Sequence, residues 1–271
     1  MKKSIFSGIL VLMLLCVTVF PADAALTRVE MDGRRVMDSG QSRVVDGTFF
    51  VPMEAFALAL GATETHWDGE TKTLTVHAKT FTATARAEDN WIGVNDACLY
   101  APGGVLEHRD GVLVPLETVC RLFGANMRME SMQHAVILPG ESLPAWETSY
   151  SSDDLYWLTR IVYAEAGAES FECQLAVAEV VLNRVASALY PNDVHSVIFD
   201  HANGVQFTPT ENGSIVNDGS RESEAAAKAA LSGSTYLPDN VLFFVSSQIG
   251  SNWVSEARTF VLQIGVTDFY A

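Results

Sequence analysis

The chain of 271 residues is short of positive charge: 17 Lys and Arg stand against 33 Asp and Glu, a net charge of −16. A protein that tracks nucleic-acid phosphates or rests on an anionic membrane needs a basic face, so this balance argues against both partners. Cysteine is scarce as well. Four thiols in a chain this long cannot build a disulfide scaffold, and scattered thiols read as small buried hydrophobes. The long apolar run from Ile5 to Phe20 has sixteen residues, short of the roughly twenty that a membrane-spanning helix needs. His66, His77, His108 and His134 lack the close spacing of a ligand set, and no metal or cofactor is assigned.

What that apolar run supplies is an export signal. Met1-Lys2-Lys3 precedes it, Pro21 ends any helix it forms, and Ala22-Asp23-Ala24 has the small-x-small cleavage pattern. Residues 1–24 are therefore expected to be a secretory signal peptide, and the chain from Ala25 onward a secreted protein with no stable membrane span. Its thiols are then Cys98, Cys120 and Cys173, an odd number that cannot all pair within one chain.

Residues 25–140 contain an internal repeat. Val51-Pro52-Met53-Glu54 recurs as Val114-Pro115-Leu116-Glu117, and Gly61-Ala62 as Gly124-Ala125, both shifted by 63. Asp46-Gly47 answers Asp110-Gly111 one residue out of step. Each unit reads as strand, Asp-Gly turn, strand, helix, strand, with Pro at the first helical position and Gly just past the helix. Phe56, Ala57 and Leu60 correspond to Val119, Cys120 and Phe123, the stripes expected to pack on the sheet. The double unit resembles the copper amine oxidase N-terminal-like (stalk) domain over about residues 27–139. That resemblance implies a scaffold or wall-adhesion module, and no copper.

Pro139-Gly140-Glu141-Ser142-Leu143-Pro144 and the segment from Ser149 to Ser152 have linker composition, so residues 141–152 read as a linker to a second domain at 153–271. That domain is acidic too, with five bases against fifteen acids. Asp153-Asp154 favour a helix start, Leu158, Ile161 and Val162 form one stripe, and Gly167 is placed to end the helix. Glu165 lies seven residues from Leu158, four from Ile161 and three from Val162, hence on the apolar face. Lost hydration and the negative end of a helix both raise its pKa, as a general acid requires. A second helix is expected from Phe171 to Leu189.

The stretch LTRIVYAEAGAESFECQLAVAEVVLNRV resembles the opening of the SleB/CwlJ-type cell wall hydrolases. Later pieces follow in order: Val205-Gln206-Phe207, the helix from Ala225 to Gly233, Phe244, Trp253, Ile264-Gly265 and Phe269-Tyr270. The resemblance covers about residues 153–271. It implies a mainly α, lysozyme-like domain behind the α+β repeat domain, acting on peptidoglycan glycan strands in a cell wall or spore envelope. The family's catalytic glutamate falls on Glu165 and its second glutamate on Glu169. Gln206 is the implied substrate contact, and Phe207, Trp253 and Tyr270, with Tyr163, are candidate sugar-stacking rings. Three positions depart from the family pattern: Cys173 stands for Gly, Val245 for a polar residue, and Thr267 for a histidine.

One glutamate suffices for a lytic transglycosylase, whereas a glycosidase with two carboxylates needs a partner acid that the sequence does not single out. Two alternatives stay open. An N-acetylmuramoyl-L-alanine amidase needs zinc ligands, for which only His195 and His201 are available. A catalytically inactive wall-binding protein would lean on the repeat domain.

Overall fold

The computed structural model describes residues 28–37, 41–131, 133–202 and 204–271, so the expected signal peptide lies outside the described residues. The first repeat unit runs β1 (Arg28–Met31), β2 (Arg34–Met37), β3 (Arg43–Val45), β4 (Thr48–Pro52), α1 (Met53–Ala59), β5 (Ala62–Asp68), β6 (Thr73–Ala78) and β7 (Thr82–Arg86). The second runs β8 (Trp91–Val94), β9 (Ala97–Tyr100), β10 (Leu106–Glu107), β11 (Val112–Pro115), α2 (Leu116–Leu122), β12 (Asn126–Ser131) and β13 (His134–Leu138). Asp32-Gly33 and Asp46-Gly47 both hold positive φ at each central residue, the backbone that twists with a two-residue hairpin.

The repeat organises the pairing. β11 lies antiparallel to β4 with Val114 opposite Val51, so equivalent residues of the two units meet. β13 pairs in parallel with β1 and draws the end of the domain back to its beginning. Phe56, Ala57 and Leu60 are buried with Val119, Cys120 and Phe123 in one core. Pro52 and Pro115 sit one residue earlier than expected, as the caps before α1 and α2. A φ fixed near −60° serves a strand's last residue and a helix's entry equally well. Cys98, Cys120 and Cys173 are buried and unpaired.

Residues 141–152 lack regular structure up to the next helix, yet they are strapped to the repeat domain. Leu143 joins its core. Thr80 donates to the Pro144 carbonyl at 2.7 Å, Trp146 Nε1 to the Leu122 carbonyl at 2.9 Å, and the Tyr150 hydroxyl to the Asp96 carbonyl at 2.7 Å.

The following region contains α3 (Ser152–Ala166), α4 (Phe171–Ala186), α5 (Val194–Ile198), α6 (Pro209–Asn212), α7 (Arg221–Leu231), β14 (Phe243–Ser246), α8 (Trp253–Ala257), β15 (Phe260–Ile264) and β16 (Thr267–Tyr270). A reciprocal Ser151–Asp154 box caps α3, and its buried stripe is Leu158, Ile161 and Val162. α4 ends three residues sooner than its apolar spacing suggests, at the Ser187 cap, and Leu189 beyond it is exposed. Alanines 225, 226, 227, 229 and 230 of α7 are all buried and let that helix approach α3 and α4 closely. This part is not helix alone. Its closing segment forms a three-stranded antiparallel sheet in the order β14-β16-β15, where alternation turns Phe269 and Phe244 to the helical core and Tyr270 and Phe243 to the opposite face.

The repeat domain and the helical domain share a packed interface. Phe171, the first residue of α4, stacks on Trp91 at 5.1 Å and on Tyr100 at 5.9 Å between ring centroids. Arg221 makes a two-pronged bond to Asp89 at 2.8 and 2.6 Å while lying over Trp91. Arg121 donates to the Ser232 and Gly233 carbonyls at the end of α7. Among the described residues, no helix is long and apolar enough to cross a membrane.

Candidate active site

Glu165 occupies the last turn of α3, and Gly167 caps that helix by donating its N–H to the Tyr163 carbonyl. A shallow open depression of about 390 Å³ lies over this turn, lined by Tyr163, Glu165, Gly167, Glu169, Ser214 and Asn217. Gly167 is needed there. A Cβ at this position would stand 2.7 Å from the Tyr163 ring, which folds over the helix end and walls the depression beside the carboxyl group.

Burial lifts the Glu165 pKa from 4.5 to about 7, and the positive charge of Arg184 opposes the rise. The unfavourable end of the α3 dipole acts in the same direction as burial. No hydrogen bond to the Glu165 carboxyl occurs among the described residues, which leaves the Arg184 charge to favour the carboxylate against burial. Such a group is a carboxylic acid near neutrality with an open face, able to give up a proton and take one back. Arg184 is buried beneath the site. Its Nε donates to the Leu242 carbonyl at 2.8 Å, its guanidinium lies over Phe207 and Tyr190, and Nη1 has no partner.

Glu169 shares the depression with Glu165. Its carboxylate rests against the hairpin turn between β15 and β16, where Gly265 has φ +56° and a Cβ would stand 2.7 Å from Oε2. The other sequence candidates do not line the depression. Gln206 donates to the Gly204 carbonyl two residues back. Phe207 is 2% exposed beneath Arg184 and Tyr270 is 5% exposed under the sheet's outer surface, so neither offers an open ring face. Strand alternation alone does not reveal which face of the sheet Tyr270 takes, Phe207 lies in the loop before α6, and core packing claims both. Trp253 is open to solvent, edge-on to Phe243.

Several contributors carry no motif of their own. Ser214 and Asn217 reach the depression from the turn after α6. Gln174, fully buried, donates to the Glu169 carbonyl at 3.0 Å and accepts from Ser223 at 2.8 Å, tying the loop beneath the acid to α7. Two positions that depart from the family pattern meet each other: Thr267 hydrogen-bonds the Cys173 thiol, which burial otherwise pushes to higher pKa. His195 packs against Trp157 and Phe199, with ring centroids 5.2 and 4.6 Å away.

Comparison with known proteins places two families on the chain. Residues 30–138 match the copper amine oxidase N-terminal domain and residues 168–270 match the cell wall hydrolase family, the latter span opening three residues after Glu165. The spore cortex-lytic enzyme of Oceanobacillus iheyensis is 34% identical over 116 residues, covering 43% of this chain and 41% of that protein. That of Bacillus subtilis is 32% identical over 105 residues, covering 39% and 33%. The chain thus spans less than half the length of the curated relatives it matches. Among solved structures, the catalytic domain of the germination-specific lytic transglycosylase SleB from Bacillus anthracis is 29% identical and covers 46% of this chain and 99% of its own, with a TM-score of 0.42.

Proposed function

We propose that this chain, which joins a copper amine oxidase N-terminal domain to a cell wall hydrolase domain, is an exported enzyme that cuts peptidoglycan glycan strands as a lytic transglycosylase. The observation that carries the reading is Glu165: a half-buried carboxylic acid, lifted by desolvation to a pKa of about 7, that opens onto a depression at a helix end. The relatives are spore cortex-lytic enzymes, and a cortex or vegetative wall glycan is the matching substrate.

In this reading Glu165 gives its proton to the glycosidic oxygen after a muramoyl residue, and the C1–O bond breaks. The resulting carboxylate, next to the buried Arg184 charge, accepts the proton of the muramoyl 6-hydroxyl as that oxygen bonds C1. The acid is regenerated, no water is consumed, and the product ends in a 1,6-anhydro ring. The double-repeat domain serves as a scaffold on the wall, fixed to the hydrolase domain by the Trp91–Phe171 stack and the Asp89–Arg221 pair.

A muramidase reading has one observation in its favour, since Glu169 lines the same depression and is a second carboxylate. An amidase is poorly supported, because the His195 ring is committed to packing on Trp157 and Phe199. Mass spectrometry of digested peptidoglycan or spore cortex separates these chemistries. We expect anhydromuramoyl ends. New reducing ends would select the muramidase, freed peptide amines the amidase, and no product at any enzyme concentration a wall-binding protein.

A further inference from the structure

The outer face of the β14-β16-β15 sheet carries a row of rings with two exposed ends. Phe243, Tyr270 and Phe260 lie side by side across the three strands by register. Trp253 of α8 abuts Phe243 with ring centroids 5.7 Å apart and is 61% exposed, and Phe260 abuts Tyr270 at 5.8 Å and is 55% exposed. Two strand spacings, roughly 10 Å, separate Phe243 from Phe260, so the exposed Trp253 beside Phe243 and the exposed Phe260 at the far edge are spaced for a glycan of more than one sugar.

Among these rings stands a free cation. The region from residue 153 holds five bases. Arg160 pairs with Asp218, Arg221 with Asp89 and Lys228 with Glu224, and Arg184 is buried. Arg258 alone among them is exposed without a carboxylate partner among the described residues. Its guanidinium lies 4.4 Å over the Phe243 ring and 6.0 Å from that of Trp253, and the backbone N–H of Arg258 is fixed on the Val254 carbonyl. The nearby Glu256 is turned to the Ser251 hydroxyl instead. In so acidic a protein, an unpaired guanidinium held among aromatic planes suits an anionic ligand that also has rings to stack.

We propose that this face is a second glycan-binding surface, on which Trp253 and Phe260 stack against the amino sugars of peptidoglycan and Arg258 holds a carboxylate of the attached peptide. It takes its substrate class from the proposed function but none of its chemistry. Each ring supplies a broad apolar plane for the axial C–H groups of a sugar, and Arg258 distinguishes a carboxylate-bearing glycan from a neutral one.

The test is co-sedimentation of the full chain, in a Glu165→Gln background, with insoluble peptidoglycan and with chitin, an amino-sugar polymer that lacks carboxylates. Trp253→Ala should weaken binding to both polymers about tenfold, equivalent to the loss of one well-packed contact. Arg258→Gln should weaken binding to peptidoglycan about fivefold while leaving chitin unchanged, with Arg258→Lys recovering most of it. Leu189→Ala, an exposed apolar residue elsewhere on the domain, should change neither, and circular dichroism checks that each variant is folded. Unaltered binding of the Trp253→Ala, Phe260→Ala double variant to both polymers would overturn the proposal, as would an Arg258→Gln loss of equal size on chitin. Each supernatant is also assayed for released glycan fragments, so residual cleavage by the Glu165→Gln parent, which would count against the Glu165 chemistry, is read separately from binding.

Discussion

Glu165, half-buried, and Glu179, buried, lie on helices of the same domain, and desolvation raises both to a pKa of about 7. Their surroundings differ. Glu179, in the middle of α4, accepts the N–H of Tyr236 at 2.8 and 3.0 Å and that of Leu237 at 2.6 Å, so its oxygens close the turn that follows α7. Glu165, at the end of α3, has an open depression in front of it and no such donors among the described residues. A perturbed pKa alone therefore does not identify a catalytic acid. The unspent hydrogen-bonding capacity of Glu165 supports its proposed role, because an acid whose oxygens are turned to backbone N–H groups presents no proton to a substrate oxygen.

The sharpest way to break this contrast is to neutralise each acid. Glu165→Gln should lower the release of glycan fragments at least about a hundredfold with the fold intact, as read by mass spectrometry of the digest. Glu179→Ala should strand the Tyr236 and Leu237 donors and destabilise the domain by about 2–4 kcal/mol in denaturant unfolding, with the chemistry retained where the protein stays folded. If Glu179→Ala stopped cleavage in a fully folded protein, the distinction between the two acids would fail.

A smaller effect follows from linkage. An acid whose folded pKa is about 7 against 4.5 unfolded holds its proton longer when folded. The stability it contributes is complete below pH 4.5 and is lost as pH rises through 7. Thermal melts should accordingly show Glu165→Gln more stable than the wild-type chain at pH 8 by a degree or more, with the gain absent near pH 4. The smallest effect is expected at Gln206, whose amide donates to the Gly204 carbonyl within its own loop. Gln206→Ala should leave cleavage within about twofold.

The contrast also marks how far the sequence could be read. Glu165 was legible because its spacing from Leu158, Ile161 and Val162 set it on the apolar stripe. The same rule applies to Glu179, four residues after Leu175 and three before Leu182, and it signals burial there too. What spacing cannot supply is the partner, because Tyr236 and Leu237 arrive from 57 and 58 residues away. The repeat in the first domain was legible for a related reason: identical short motifs impose identical local structure, and Val51 and Val114 meet in register. Phe207 and Tyr270 illustrate the limit. Both are aromatic and compatible with sugar stacking, and only the packing of Arg184 and the sheet decides that they are interior.

The most direct measurement is a carboxyl carbon NMR titration of the full chain beside Glu165→Gln and Glu179→Gln. A carboxyl resonance titrating near pH 7 is expected, disappearing in Glu165→Gln and persisting in Glu179→Gln. A Glu165 resonance titrating near 4.5 would contradict it, because that side chain would then enter neutral solution already stripped of the proton it has to deliver.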